Sequence, residues 1–290
     1  MLMLGYILGH QGCLEVTNSI DDLLGVAYKF KEQNIEILAI NGGDGTISRT
    51  LTAFIKAYQG DSLPKIALLR GGTMNVIAQN LGMKGTPEKI LATLVELYSS
   101  GEKIQTHSLA TLKIRDTYGF LFGTGVAANF LVEYYKRKSG PFGAFLLCLS
   151  IWLSGLLKGN LFRKIVKKQC FRLSSNEFDT ILHSTICLLC STVRNMPLSY
   201  PLFKKITNQT KKFQCVSFTL EPREAIFRFP IILLQGKYAS KDAKFEATLK
   251  NITISSEGEF EYTLDGELFV AGNSIAIEQG PTINFVILQP

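Results

Sequence analysis

The chain has 290 residues, 46% of them hydrophobic and 19% charged. That fits a globular protein with a sizeable core, in one large domain or two of ordinary size, and excludes a low-complexity chain. The net charge of +7 suits an anionic partner, whether nucleotide, membrane surface or nucleic acid, without choosing among them.

Met1–Leu4 carries no basic residue ahead of its apolar run and no clear small-residue cleavage site, so a signal peptide is not expected there. Gly5–Leu8 is expected as a strand or strand edge. Ser19 followed by Asp22 has the form of a capping box, and Ile20, Leu23, Leu24, Ala27 and Phe30 make the apolar stripe of a first helix. Ile35–Ile40 is short, branched and apolar, as a buried strand is. It runs into Asn41-Gly42-Gly43-Asp44-Gly45-Thr46 and then into a helical pattern of Ile47, Leu51, Phe54, Ile55 and Tyr58. Strand, glycine loop and helix form a phosphate cradle: the glycines let an anion approach the backbone, and the helix N-terminus, with Thr46 expected as its cap, favours negative charge. Asp44 sits awkwardly beside phosphates unless a cation such as Mg²⁺ mediates. The plainer alternative is an ordinary strand-to-helix turn.

The unit repeats. Lys65–Leu69 is a second short strand after Pro64, followed by Arg70-Gly71-Gly72-Thr73-Met74-Asn75 and a helix over Asn75–Leu81 that Gly82 stops. Two such units place both loops outside the carboxyl ends of a parallel sheet, where one polyphosphate would meet both. Arg70 is placed to pair with a phosphate or, equally, to make a surface salt bridge. Pro87–Ser100 is a further helix.

From Ile104 the texture changes to strands, at Leu109–Ile114 and Tyr118–Phe122, which sets a domain boundary near His107. Gly123-Thr124-Gly125 then leads into a helix through Tyr135. Phe142–Leu157 is strongly apolar and contains the single tryptophan, Trp152. Lys136-Arg137-Lys138 precede it, and Lys158, Arg163, Lys164, Lys167 and Lys168 follow. At less than the ~20 residues of a membrane span, it is either a lid or interfacial helix whose lysines meet anionic headgroups, or a core helix followed by a solvated basic turn. From Asp179 short strands dominate: Ile181–Val193, Phe213–Leu220, Ile226–Leu234, Phe245–Thr248, Ile252–Ser255, Phe260–Leu264, Glu267–Val270, Ser274–Ile277 and Ile283–Leu288. Cys187 and Cys190 have CxxC spacing, but on a strand they face opposite sides. The six cysteines are expected as free thiols in a reducing compartment. The three histidines form no cluster.

Leu264-Asp265-Gly266-Glu267 joins two alternating segments, so Asp-Gly is a hairpin turn, and on local pattern alone a surface one.

The order and spacing of GGDGT, GGTMN and LDGE resemble the diacylglycerol kinase catalytic-domain family, which also holds sphingosine and ceramide kinases and bacterial lipid kinases. The resemblance runs from about Asp21 to the C-terminus. It implies an α/β N-terminal domain over 1–107, Rossmann-like with a parallel sheet bearing the GGDGT loop, and a C-terminal antiparallel β-sandwich acceptor domain over 108–273. The last strand, within about 274–290, has the option of returning to the first domain. It implies ATP held by Asn41, Gly42, Gly43, Asp44, Gly45, Thr46, Gly71, Gly72, Thr73 and Asn75, Mg²⁺ at Asp44, and catalytic carboxylates at Asp265 and Glu267 beside Asp44. The implied reaction carries the γ-phosphate to a lipid hydroxyl, such as that of diacylglycerol or a sphingoid base, by a cytoplasmic protein peripheral to the membrane, with a homo-oligomer compatible. The family's additional first strand and Asn-Pro-x-Ser-Gly loop are not found in the sequence, which leaves a non-catalytic lipid-binding or regulatory relative as one alternative. A soluble enzyme of the NAD kinase type, which shares the GGDG loop but not GT-x-N, is another. The family's acidic structural metal site is not located, and nucleic-acid binding is not expected, because the basic clusters lack interleaved aromatics.

Overall fold

A computed structural model of the chain describes residues 2–17, 19–72, 74–137, 141–197, 201–207, 211–219, 224 and 243–288. The strand expected at 226–234 lies outside them, as does Thr73.

The first helix, α1 (Leu2–Leu8), packs against α5 (Pro87–Ser99). A strand edge was the expectation there, but Leu-Met-Leu is a strong helix-forming run with a single β-branched residue, Ile7. The helix α2 (Ile20–Glu32) begins in the expected capping box: Asp22 N–H donates to Ser19 Oγ at 3.1 Å, and Ser19 N–H donates to Asp22 Oδ2 at 3.0 Å. Strand β1 (Ile37–Ile40) crosses through α3 (Asp44–Tyr58) to β2 (Lys65–Leu68), which pairs parallel to it from Ile37↔Lys65 to Ile40↔Leu68. A short helix, α4 (Val76–Asn80), then leads to α5, where Thr86 Oγ1 accepts Lys89 N–H and Pro87 occupies the first turn. The apolar face of α3, with Ile47, Leu51 and Phe54 fully buried, packs in one cluster with Ile66, Leu68 and Phe285.

The second half opens with β3 (Thr106–Ile114), β4 (Thr117–Gly119) and β5 (Leu121–Gly125). Three helices follow: α6 (Val126–Arg137), α7 (Pro141–Leu156) and α8 (Asn160–Ile165). The remaining strands are β6 (Gln169–Ser174), β7 (Asp179–Thr185), β8 (Cys187–Ser191), β9 (Phe213–Phe218), β10 (Ala243–Leu249), β11 (Asn251–Ser255), β12 (Glu261–Leu264), β13 (Glu267–Val270) and β14 (Ser274–Val286). Among the described residues they form two sheets. One runs β1-β2-β14-β11-β6-β7, with β3 pairing β14 and β4; the other runs β10-β9-β8-β5-β12-β13 and is antiparallel throughout. Phe171, Leu173, Ile252, Ile254 and Ile277 from the first face Phe122, Leu188, Phe213 and Leu264 from the second in one buried cluster. This is sheet-on-sheet packing.

Three departures from the sequence reading have local causes. The expected single strand over Ile181–Val193 is two, β7 and β8, placed in different sheets; Ser184 turns into the left-handed region with φ 62° just before the break. The two expected terminal strands are one, β14, which keeps pairing with β3 across an irregularity between Gln279 and Thr282 that accommodates Pro281. Its far end pairs parallel to β2 at Phe285↔Ile66, so a single strand ties the sandwich to the glycine-loop region. The expected basic turn after α7 contains a further helix and strand, α8 and β6. Cys187 and Cys190 do face opposite ways, into separate buried clusters. Burial pushes the Cys187 thiol up to about 12, so neither cysteine is a poised thiolate.

Candidate active site

Both glycine loops leave the carboxyl ends of parallel neighbours, β1 and β2, and press against each other backbone to backbone. A Cβ on Gly72 would stand 2.2 Å from the Gly43 Cα, and one on Gly71 would stand 2.2 Å from the Asn41 side-chain oxygen. At Gly72 the clash is with backbone, so no side chain larger than hydrogen fits, whereas at Gly71 the Asn41 side chain would have to move. Gly43 is the N-cap of α3, in extended conformation and with no side-chain cap bond. Thr46 is therefore inside the first turn and is not the cap that was expected; it packs over Gly42, where a Cβ would meet Thr46 Cβ at 2.5 Å. A glycine cap supplies no side-chain acceptor to the first α3 amides.

Asp44 does what the sequence did not disclose. Its carboxylate accepts Val76 N–H at 3.0 Å on Oδ2 and Ile77 N–H at 3.1 Å on Oδ1, and so caps α4 from the other loop. Burial raises its pKa above the ordinary carboxylate range, and those two amide bonds, with a smaller contribution from its own backbone amide, oppose the rise. Asn75 turns α4 in with a left-handed φ of 47°. Its side chain accepts Gly72 N–H at 3.1 Å and donates to the carbonyls of Gly72 and Arg70. Arg70 is also left-handed, φ 58°, and its Nε is buried with no hydrogen-bond partner among the described residues. It makes no ion pair among those residues, so the surface salt bridge read as its alternative is not found.

The distant Asp-Gly turn arrives at this cradle. β12 and β13 pair from Glu261↔Val270 to Leu264↔Glu267, with Asp265 and Gly266 at positive φ, the turn expected of Asp-Gly. It is not a surface turn, because Asp265 is only 8% exposed. The Asp265 carboxylate accepts Phe120 N–H, at 3.0 Å on Oδ2 and 3.1 Å on Oδ1, and Leu121 N–H at 2.9 Å on Oδ1. Gly119 makes that approach feasible, since a Cβ there would lie 2.5 Å from Asp265 Oδ2. Burial raises Asp265 to about 8; the negative charge of Asp44 adds to the rise, while the Leu121 and Phe120 amides and the Ser48 hydroxyl oppose it. Glu267 Oε1 would stand 2.8 Å from a Cβ on Gly45, and its carboxylate pairs with Arg49 Nε at 2.7 and 2.9 Å.

The structure thus brings Asn41–Thr46, Gly71, Gly72, Asn75, Asp265 and Glu267 to one place. Around them stand residues that sequence reading missed. Ser48 donates to the Tyr118 carbonyl at 2.5 Å, and Thr52 Oγ1 accepts Tyr118 N–H at 3.0 Å, which pins β4 to α3. Tyr135 on α6 donates to the Gly266 carbonyl at 2.6 Å, and its own pKa is raised by burial and by the Glu267 charge. A signal for some of these was present: Asp44, Ser48 and Thr52 recur every four residues, a polar stripe on a helix otherwise read by its apolar positions.

Whether these groups suit a metal nucleotide can be judged from the donors. Among the described residues no three His, Cys, Asp or Glu side chains stand together to cage a cation. Asp44 keeps carboxylate lone pairs beyond its bonds to Val76 and Ile77, α3 starts without a side-chain cap bond, and the Arg70 Nε has no hydrogen-bond partner among the described residues. That set fits Mg²⁺ carried by phosphates and one or two carboxylates rather than a protein cage.

Glycine loops over an α/β sheet, closed by a carboxylate hairpin from a β-sandwich, make up this site. The diacylglycerol kinase catalytic domain model matches residues 7–105. A curated protein of Streptococcus pneumoniae described as "Putative lipid kinase" is 21% identical over 256 residues, covering 87% of this chain and 79% of that one. A diacylglycerol kinase crystal structure from Bacillus anthracis superposes with a TM-score of 0.62 at 12% identity, over 95% of this chain and 84% of its own. A second B. anthracis crystal structure, at 16% identity, gives 0.66 over 94% and 84%. The first third of the chain thus matches the diacylglycerol kinase catalytic domain model, and the fold over nearly the whole chain is that of the two B. anthracis structures.

Proposed function

We propose that the chain is an ATP-dependent lipid kinase that moves the γ-phosphate to the hydroxyl of a lipid such as diacylglycerol or a sphingoid base. The observation that carries this reading is that Asp265 and Glu267, more than 200 residues beyond the first glycine loop, lie against the helix that loop opens. Phosphoryl transfer is mostly alignment and charge compensation, and these residues supply both. Gly43 and Gly72 let phosphate oxygens reach backbone amides, the α3 N-terminus attracts their charge, and Arg70 supplies a cation at the rim. Mg²⁺, when bound with the nucleotide, would offset the charge of Asp44 and of the phosphates.

Asp265 is the group proposed to take the acceptor proton as the lipid oxygen forms its bond to the γ-phosphorus and the bond to the ADP oxygen breaks. Held by two backbone amides, it is fixed in position. With its pKa near 8 it sits close to the working pH, where a general base is most effective. Glu267 pairs with Arg49 at the mouth of the cradle.

The test is transfer of ³²P from [γ-³²P]ATP and Mg²⁺ to lipids extracted from membranes and presented in vesicles. A labelled phospholipid made by the wild type and absent with Asp265→Asn supports the reading. Label that goes only to a water-soluble acceptor, or equal label with both proteins, overturns it.

A further inference from the structure

Helix α7 is apolar on two opposite faces. Gly143, Leu147, Ile151 and Gly155 recur every four residues along one side; Leu147 is fully buried and Ile151 packs on the cluster of Phe162, Ile165 and Val216. That face is satisfied by protein. On the other side Leu146, Leu149, Leu153 and Leu156 follow the helical repeat, flanked by Trp152 and Leu157, and every one of them is exposed, from 38% for Trp152 to 82% for Leu157. A helix hydrophobic all round belongs in a core or in lipid. Together these side chains leave an apolar patch on the order of 500 Å² facing water, the size of the largest patch on a typical monomer, which is often functional. At 16 residues the helix is too short to cross a bilayer, and among the described residues no helix qualifies as a span.

Charge identifies the occupant. Lys136 and Arg137 end α6, and Lys158, Arg163, Lys164 and Lys167 follow α7, all exposed. The two groups meet in space, because Glu133 Oε1 binds both Lys136 Nζ, at 3.1 Å, and Lys164 Nζ, at 2.5 Å. One carboxylate serves two of the cations, and Lys158, Arg163 and Lys167 pair with no acid among the described residues. An apolar stripe bordered by unneutralised cations is complementary to acyl chains beneath anionic headgroups.

We infer that the outer face of α7 is a docking surface for an anionic bilayer. It is shallow, the leucines and Trp152 entering the headgroup boundary while the lysines and arginines stay at phosphate level. Helix α6 couples this surface to the cradle: it packs against α7 and α8, and its Tyr135 holds the Gly266 carbonyl between Asp265 and Glu267. Docking therefore sets the carboxylate hairpin at a fixed height above the lipid. This deepens the lipid-kinase reading by naming the partner surface, and its test uses no ATP, so the two can fail separately.

Trp152 is the chain's only tryptophan, and its intrinsic fluorescence reports this face alone. Phosphatidylglycerol vesicles should shift its emission to shorter wavelength, brominated acyl chains should quench it, and phosphatidylcholine vesicles should do much less. Leu153→Glu with Leu156→Glu, both at exposed positions and checked for an unchanged melting temperature, should abolish the shift. Arg163→Glu with Lys167→Glu should lower the vesicle partition coefficient at least about 20-fold at low salt, about fivefold for each cation lost. Unshifted emission with anionic vesicles overturns the inference. So does a shift that follows protein concentration without vesicles, which would mean that a second copy of the chain covers the face.

Discussion

Replacing Asp44 by alanine should loosen the second glycine loop before it affects anything else. The carboxylate holds Val76 N–H at 3.0 Å and Ile77 N–H at 3.1 Å, and a hydrogen bond to a charged acceptor contributes about 1.5–3 kcal/mol. Alanine also removes a buried carboxylate whose charge is disfavoured there, as its raised pKa records, so the net loss is smaller than two such bonds, about 2 kcal/mol. That corresponds to a melting temperature lower by roughly 4–8 °C. The sharper assay is hydrogen exchange: in a peptide spanning 71–81, the Val76 and Ile77 amides should exchange about 30-fold faster, the same 2 kcal/mol expressed as an opening equilibrium. Asp44→Asn, which keeps one acceptor oxygen, should fall between. Unchanged exchange at Val76 and Ile77 in Asp44→Ala would refute the tie between the loops.

Three further outcomes are expected. Asp265 holds its proton up to about pH 8 in the folded chain, whereas the unfolded carboxyl releases it near ~4; the stability it contributes is full below that lower value and is lost as pH rises through the upper one. Thermal melts should therefore show the wild type losing stability between those limits, and Asp265→Asn staying flatter. Gly72→Ala drives a Cβ to within 2.2 Å of the Gly43 Cα. The Gly43 atoms it meets are backbone, so the loops must part, at about 1–3 kcal/mol in urea titrations and about a hundredfold in transfer rate for a ~1 Å misplacement. The Arg49–Glu267 pair has side chains 51% and 25% exposed, so Arg49→Ala should cost no more than ~1 kcal/mol in the same titrations. A larger loss would mean that the pair holds the hairpin in place.

What was legible in the sequence is what depends on neighbours in the chain. The capping box at Ser19, the Asp-Gly hairpin and the glycine loops all announce themselves within six residues, because turns and caps are local chemistry. Asp44 as the cap of α4 was not legible: its partners are Val76 and Ile77, and any acid in that loop would have looked the same. The burial of Asp265 depends on Gly119, Phe120 and Leu121, brought in by another strand, so local pattern pointed to a surface turn. Ile181–Val193 shows the same limit, since one unbroken apolar run gives no sign that its halves enter different sheets.

The central claim is that the two distant motifs form one site for phosphoryl transfer to a lipid. Its most direct test is a double-mutant cycle on kcat/KM with Asp44→Asn and Asp265→Asn, using lipid vesicles and ATP. Residues that act as a unit are strongly non-additive, so the double variant should be no slower than the worse single one. Losses that multiply, or a single variant that transfers phosphate as fast as the wild type, would contradict it.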